Sequence, residues 1–522
     1  MCVRCLNRSS FVRNIIQQGY REGYSVSERF HRLSLAGGKI VSQPAPSSAD
    51  LPTTSPKTDG VQTALVPASS PPESLLPDAL ARRTMRLSLI EGGFATVFIN
   101  WTSGSVLTGY ALHLGATPTA LGLIASVPLL GQAVSPLAAW LVGRRGRRKG
   151  VAVATAVTGR GLWVLAAALP ILPVPAEART ALLVALVALS SVFIAANGAL
   201  WTAWMGDVVP WKERGRYFGL RTGVLGIIGT GANLLAGAWL DKVASPLSFQ
   251  VVLLTATVSG LLAALILTRH DEPPLTSARL HMRHAFSLPL SDQGFRRLLV
   301  FAVYWTFAVL LASPFVLPYF LNHLHMSFVQ VAIWSAVSAA SALVLAPAWG
   351  RLADRVGNRP VLAVATFMAG TLLPLSWMLA APGRLWPIWI SGFLDALVWS
   401  AINPGIFNLS LATTPRENRA AFIAVFSALT GVAGFTGGLV SGPLLELYRA
   451  LLPAVTGWTA YHSLFATSAV LRMLAWTLLR RVPETGAWRT RDLLNRVNLE
   501  RISLPRPPLR WPAGLRRRSG RR

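Results

Sequence analysis

The chain has 522 residues, of which 52% are hydrophobic and 13% charged, about half the charged share of an ordinary soluble domain, so a string of soluble domains is excluded. A net charge of +28 would suit a nucleic-acid binder, but no recognisable nucleic-acid module accompanies it. The two cysteines, Cys2 and Cys5, lie near the N-terminus and offer neither a disulfide framework nor a metal site.

Residues 1–84 come first, rich in Pro, Ser and Thr over 42–77, and read as a disordered tail; an alternative start of the functional chain lies near Met85. Twelve apolar blocks follow, at 88–112, 118–140, 150–171, 180–206, 216–240, 248–268, 297–321, 327–348, 360–381, 386–412, 420–446 and 457–479. Each is long enough to cross ~30 Å of hydrocarbon. In lipid these blocks must be helices, because lone strands would leave backbone groups unpaired. The expected fold class is an all-α integral membrane protein with twelve transmembrane helices, here spans 1–12. The stretch 269–296 is a longer middle loop, and 480–522 a basic tail beside anionic lipid headgroups.

Positive charge alternates between the loops. Those after even-numbered spans carry residues such as Arg144, Arg148, Lys212, Arg214, Arg355, Arg359 and Arg419, whereas those after odd-numbered spans hold only Arg179, Lys242, Arg384 and Arg449. The positive-inside rule then places both termini in the cytoplasm of a cell (inner or plasma) membrane protein. Two charged turns also recur in order. Residues 350–359 read Gly-Arg-Leu-Ala-Asp-Arg-Val-Gly-Asn-Arg, and a degenerate copy runs from Gly143 to Lys149, with Gly357 falling 211 residues after Gly146. Pro210 and Arg214 match Pro415 and Arg419 at a shift of 205. A duplicated membrane protein explains both.

The twelve spans, the inside termini, the middle loop and the Gly-x-Leu-x-Asp-Arg-x-Gly-x-Arg turn resemble the major facilitator superfamily of secondary transporters, over roughly 86–480. Gly350, Leu352, Asp354, Arg355, Gly357 and Arg359 carry the match; in the first half Arg144, Gly146 and Arg148 remain, while Gly143 stands where the acid would be. The resemblance implies two pseudo-symmetric six-helix bundles, 85–268 and 297–479, rocking about a central cavity that spans 1, 4, 7 and 10 line. It also implies a cytoplasmic gate at Gly350, Asp354, Arg355, Gly357, Arg359, Arg144, Gly146, Arg148, Asp207, Arg214 and Arg419. Physically, Gly350 allows helices to approach closely and Gly357 permits the positive φ of a tight reversal. Asp354 can accept from a neighbouring helix N-terminus or pair with a base. Asp207, at the C-terminal end of span 4, opposes the helix dipole and calls for a cationic partner, for which Arg144 is the family-like choice.

Ionisable groups inside spans are costly, so each is a functional candidate. Asp395, deep in span 10, is the first choice for binding a proton or substrate. Glu91 in span 1 and Arg160 in span 3 follow, while Arg472 in span 12 reads as facing a lipid headgroup or a structural partner. If Arg160 reached Asp395, the proton site would move to Glu91. Asn100, Asn197, Trp201, Tyr304 and Trp399 complete the expected cavity; Asn197 with Trp201, and Asp395 with Trp399, are spaced i, i+4 and share a helix face. Packing is the competing reading for each. Glycines on spans 5 and 11 mark sliding seams. The Gly-Pro-x-x-Gly-Gly run that marks drug–proton exchange in this family is absent from span 5, so export by antiport has no motif support.

The expectation is a monomeric carrier in membrane lipid that moves a small, partly apolar molecule by alternating access, coupled to protons. No cofactor is expected, since no Gly-x4-Gly-Lys-Ser/Thr nucleotide loop is present. It is not read as an enzyme; the alternatives are a polytopic enzyme on lipid-linked substrates and a sensor without flux.

Overall fold

The computed structural model of the chain describes residues 76–487, apart from 146–147, 244, 246, 275–288, 415–418, 453–457 and 485–486; the side chains of 132–145 and 419–421 are also outside the description. The expectations for Gly146, for the side chains of Arg144 and Arg419, and for most of both tails fall on these undescribed residues.

The described chain is helical. Span 1 is built from two pieces, α1 (Asp78–Trp101) and α2 (Gly104–His113). The rest of the first half is α3 (Pro118–Arg145), α4 (Arg148–Ala168), α5 (Ala176–Val208), α6 (Arg214–Lys242) and α7 (Ser248–Leu267). In the second half, α8 (Gln293–Leu310) opens span 7, which continues through a 3-10 turn and a π-helical turn to His323. Then come α9 (Phe328–Val356), α10 (Asn358–Met378), α11 (Trp386–Ala412), α12 (Arg419–Leu451) and α13 (Ala460–Leu479). Ten stretches among the described residues are long and apolar enough to cross a membrane unaided. The two remaining positions are the interrupted, charge-bearing α1–α2 and α3, whose described apolar run is Pro118–Gly131.

Packing repeats between the halves. α1 packs on α7 as α8 does on α13, α4 on α7 as α10 on α13, α3 on α5 as α9 on α11, and α4 on α5 as α10 on α11. Between the halves α3 meets α12 and α6 meets α9, two contacts that exchange under the same operation. The helix after each half's first turn is capped alike. The Glu272 carboxylate accepts from the amides of Arg148 (2.6 Å) and Lys149 (3.2 Å), and Glu484 accepts from those of Asn358 (2.8 Å) and Arg359 (2.7 Å). A carboxylate at a helix N-terminus satisfies orphan N–H groups and complements the dipole.

α1 begins ten residues before the expected span. The Thr84 hydroxyl donates to Asp271 (3.0 Å), whose amide donates back to Thr84 (3.1 Å), so 78–84 belongs to the folded body rather than to a disordered tail.

The seam between the halves is uneven. At the face away from the 350–359 turn, Asp241 at the end of α6 accepts from the amides of Phe328 and Val329 (both 2.8 Å), capping α9 across the seam. There the Phe328 ring packs where a side chain on Gly109 would stand, and a side chain on Gly438 of α12 would overlap Ser126 of α3. Toward the turn-bearing face, here the basic face, Gly219, Gly223 and Gly226 of α6 and Gly350 of α9 have open space where a Cβ would project. The small residues of spans 5 and 11 thus allow close contact between the halves at the far face.

Candidate functional site

A cavity of about 340 Å³ lies where the halves meet, lined from both. The first half supplies Asn100, Ser103, Gly104 and Ser105 from span 1 and Asn233 from α6; the second supplies Trp334, Trp377, Asp395, Trp399 and Arg472, with Ser313 and Val316 from span 7.

Both span 1 and span 7 break where they reach this cavity. Gly104 adopts φ +57, a conformation glycine takes without strain, and α1 gives way to α2. Ser313 and Pro314, 210 residues after Ser103 and Gly104, end α8; the proline has no N–H to continue the helix. Hydroxyls take up carbonyls near the breaks: Thr102 donates to Phe98 (2.7 Å), Ser103 to Ile99 (2.7 Å) and Ser313 to Val309 (3.0 Å). Irregular backbone at this depth is tolerated where it lines a cavity.

Asp395 lines the cavity and accepts from the Ser338 hydroxyl at 2.8 Å. Trp399 stands on the same face, its ring 6.3 Å from that of Trp305. Asn100 accepts from the Asn233 amide (2.9 Å) and donates to Thr96 (2.8 Å), tying span 1 to α6 at the cavity wall.

The other expected members lie elsewhere. Glu91 and Arg160 are buried and belong together, 3.6 Å apart, with Arg221 of α6 at 3.8 Å on the other carboxylate oxygen. Arg160 also donates to the Gly260 carbonyl of α7 (2.8 Å) and so pairs within the first half, not with Asp395. Trp201 does not line the cavity either; Arg221 lies over its ring at 4.1 Å. Asn197 faces α4, where its amide donates to the Ala152 carbonyl at 2.8 Å. Tyr304 packs against the second-half core. Helical spacing places two residues on one face; it does not say what that face meets.

Of the two expectations for Arg472, a lipid headgroup or a structural partner, the structure shows the second. Arg472 is 1% exposed and lines the cavity, donating to the carbonyls of Ala369 (3.2 Å) and Val309 (3.3 Å); it faces no lipid. Arg221 was missed, although a charge within span 5 was signal enough.

At the basic face, Arg148 meets Asp207 at 2.8 Å, so the acid at the end of α5 has a cation; the expected partner, Arg144, has its side chain outside the described residues. Arg214 donates to the carbonyls of Val209 (3.1 Å) and Gly206 and stacks over Trp211 at 5.0 Å, closing the turn after α5. Gly357 has φ +97, as a tight reversal needs, and Arg359 donates to the Val482 carbonyl (3.2 Å). Asp354 and Arg355 are exposed, and Asp354 makes no ion pair with a described residue. Nearby, His270 is buried, and burial holds its imidazole below the ordinary histidine range.

The Major Facilitator Superfamily model matches residues 90–316 and again 298–516. A multi-drug resistance efflux pump, PmrA of Streptococcus pneumoniae, is 28% identical over 147 residues, 27% of this chain and 35% of the pump, so the match spans about a third of that relative's length. Among solved structures, the nucleoside transporter NupG superposes with a TM-score of 0.58 at 15% identity, covering 77% of this chain and 98% of that one. The inward-open xylose transporter XylE of E. coli gives 0.56 at 15%, covering 79% and 98%. With one family model matched by each half of the chain, and the packing of each half repeated in the other, the protein belongs to the Major Facilitator Superfamily.

Proposed function

We propose that the chain is a secondary active transporter of a small molecule, working by alternating access and coupled to protons through Asp395. The observation that carries this is the cavity between the halves, walled by the broken middles of spans 1 and 7 and by a carboxylate from span 10. Transport is also in keeping with the functions of the similar proteins, a multi-drug efflux pump and nucleoside and xylose transporters.

The two halves act as bundles that rock about this cavity. With the basic face in the cytoplasm, by the positive-inside rule, the arrangement described is closed outside and parted inside. Asp354 is then free because its seam is open; on closure it takes up a helix N-terminus or a base of the facing bundle, and Arg355, Gly350 and the α12 start at Arg419 come together with it. Arg148–Asp207, Arg214 and Arg359 hold the turns in shape through both states. The protein acts as a monomer in membrane lipid.

The test is accumulation by the reconstituted full-length chain under an imposed proton gradient. Asp395→Asn should retain exchange between equal compartments and lose uphill accumulation. Accumulation that survives in the mutant would remove Asp395 from the coupling role. Reporter fusions at 356 and 382 check orientation; activity of an exterior-only reporter at 356 would reverse it.

A further inference from the structure

Among the described residues, two that line the cavity carry a buried side-chain donor without a partner. The Nε–H of Arg472 and the Nε1–H of Trp377 are buried without a partner, and both residues line it. α2 begins in the same wall at Gly104, and its N-cap Ser103 makes no side-chain capping bond, the hydroxyl being spent on Ile99. α2 therefore starts in the cavity wall without a side-chain cap, and the positive end of its dipole lies there. An uncapped helix start and an incompletely satisfied guanidinium converge on one space, and such a pair suits an anion.

Charge points the same way. Among the described residues deep within the spans are three cations, Arg160, Arg221 and Arg472, and two acids, Glu91 and Asp395. Glu91 lies within 4 Å of both Arg160 and Arg221, while Arg472 has no described carboxylate within 4 Å and feels Asp395, its neighbour in the cavity wall, only at longer range. Trp334, Trp377 and Trp399 give the rest of the lining an aromatic character that takes an apolar body rather than a second charge.

We infer that the substrate is an organic anion, its carboxylate held between the start of α2 and Arg472 and its apolar body against the three tryptophans. The inference rests on the transport reading above and names its substrate class. It also gives Asp395 a defined part. Two carboxylates in one small cavity repel, so the substrate enters together with a proton that settles on an Asp395 carboxyl oxygen, and the two cross in the same direction.

Binding to the full-length chain in nanodiscs, read by tryptophan fluorescence and calorimetry, tests this apart from flux. The probes are benzoate, 4-phenylbutyrate and decanoate, each against its primary amide and the matching amine. At least one carboxylate should bind about tenfold or more tighter than its amide and amine. That carboxylate should bind more tightly at about pH 6 than at about pH 8, although the probe is ionised at both. Arg472→Gln should remove the preference. Trp377→Phe, which keeps the ring and loses only the N–H, should weaken the carboxylate about threefold or more and leave the amide unchanged. Asp395→Asn should bind the carboxylate with no pH dependence. Preference for the amine or amide, no carboxylate bound, or binding indifferent to both Arg472→Gln and Trp377→Phe overturns the inference. Anion-selective binding without flux in proteoliposomes would instead sink the transport reading alone, and flux that prefers the amine would sink the substrate class alone.

Discussion

The two halves each bury acids and bases, and they use them differently. In the first half Glu91 sits between Arg160 and Arg221, and Arg160 is further tied to α7 through the Gly260 carbonyl. In the second half Asp395 and Arg472 both reach the cavity, each bonded to uncharged groups, Ser338 for the acid and two backbone carbonyls for the base. A buried charge answered by an opposite charge holds helices together; one answered within 4 Å only by uncharged groups, beside a cavity, is available to a ligand. Burial alone does not separate the two cases, since Glu91 is 3% exposed and Arg472 1%.

The largest effect should come from breaking the charge-paired set. Glu91→Gln leaves Arg160 and Arg221 buried without a counter-charge and should cost roughly 3–5 kcal/mol in unfolding of the solubilised protein. Asp395→Asn should cost less than about 1 kcal/mol by the same measurement, since Ser338 can still bond the amide oxygen. Equal losses in the two variants would erase the distinction between the halves.

Next in size is the seam. Gly438→Ala places a methyl against Ser126 and should disfavour the arrangement closed at that face by roughly 1–3 kcal/mol. Gly350→Ala meets open space and should leave it unchanged. Cysteine labelling from the two faces reads both; unchanged labelling in Gly438→Ala would show that the seam is not the moving surface.

Asp241→Ala removes the bonds across the seam to the start of α9, whose own Ser327–Gln330 capping box remains, and should weaken closure of the same face by about 1 kcal/mol, seen as faster labelling there. The smallest effect concerns His270. Burial lowers its proton affinity in the folded chain, so the neutral ring is favoured there. Its stabilisation is complete above the unfolded value of about 6.5 and is lost as pH falls below that toward the depressed folded value. His270→Phe should flatten the acid side of the thermal stability profile; an unaltered acid limb would exclude this ring as a source of it.

Local chemistry in the sequence was readable where it needed no partner. The Gly357 reversal needs only glycine's backbone freedom, the spans only their length, and Asp395 only the cost of an acid in hydrocarbon. What escaped depends on which way a helix faces. Asn197 and Trp201 share a face as their spacing requires, yet the Asn197 side chain is spent on α4. Arg472 is as visible a charge as Asp395, but its depth in span 12 does not tell lipid from cavity. The break at Gly104 lies within a polar run, residues 102–105, that stands out in an apolar block only once its counterpart at Ser313 is set beside it.

Alternating access about the shared cavity is most directly tested by distances across both seams in one protein. With Cys2 and Cys5 replaced by Ser, spin labels at Lys242 and His325 report the opposite face, and labels at Leu220 and Arg351 the basic face. On introducing Asp241→Ala, the 242–325 distance should gain a longer population while the 220–351 distance gains a shorter one. Both distances lengthening together, or neither moving in that variant or on changing pH, would contradict a carrier that opens one face by closing the other.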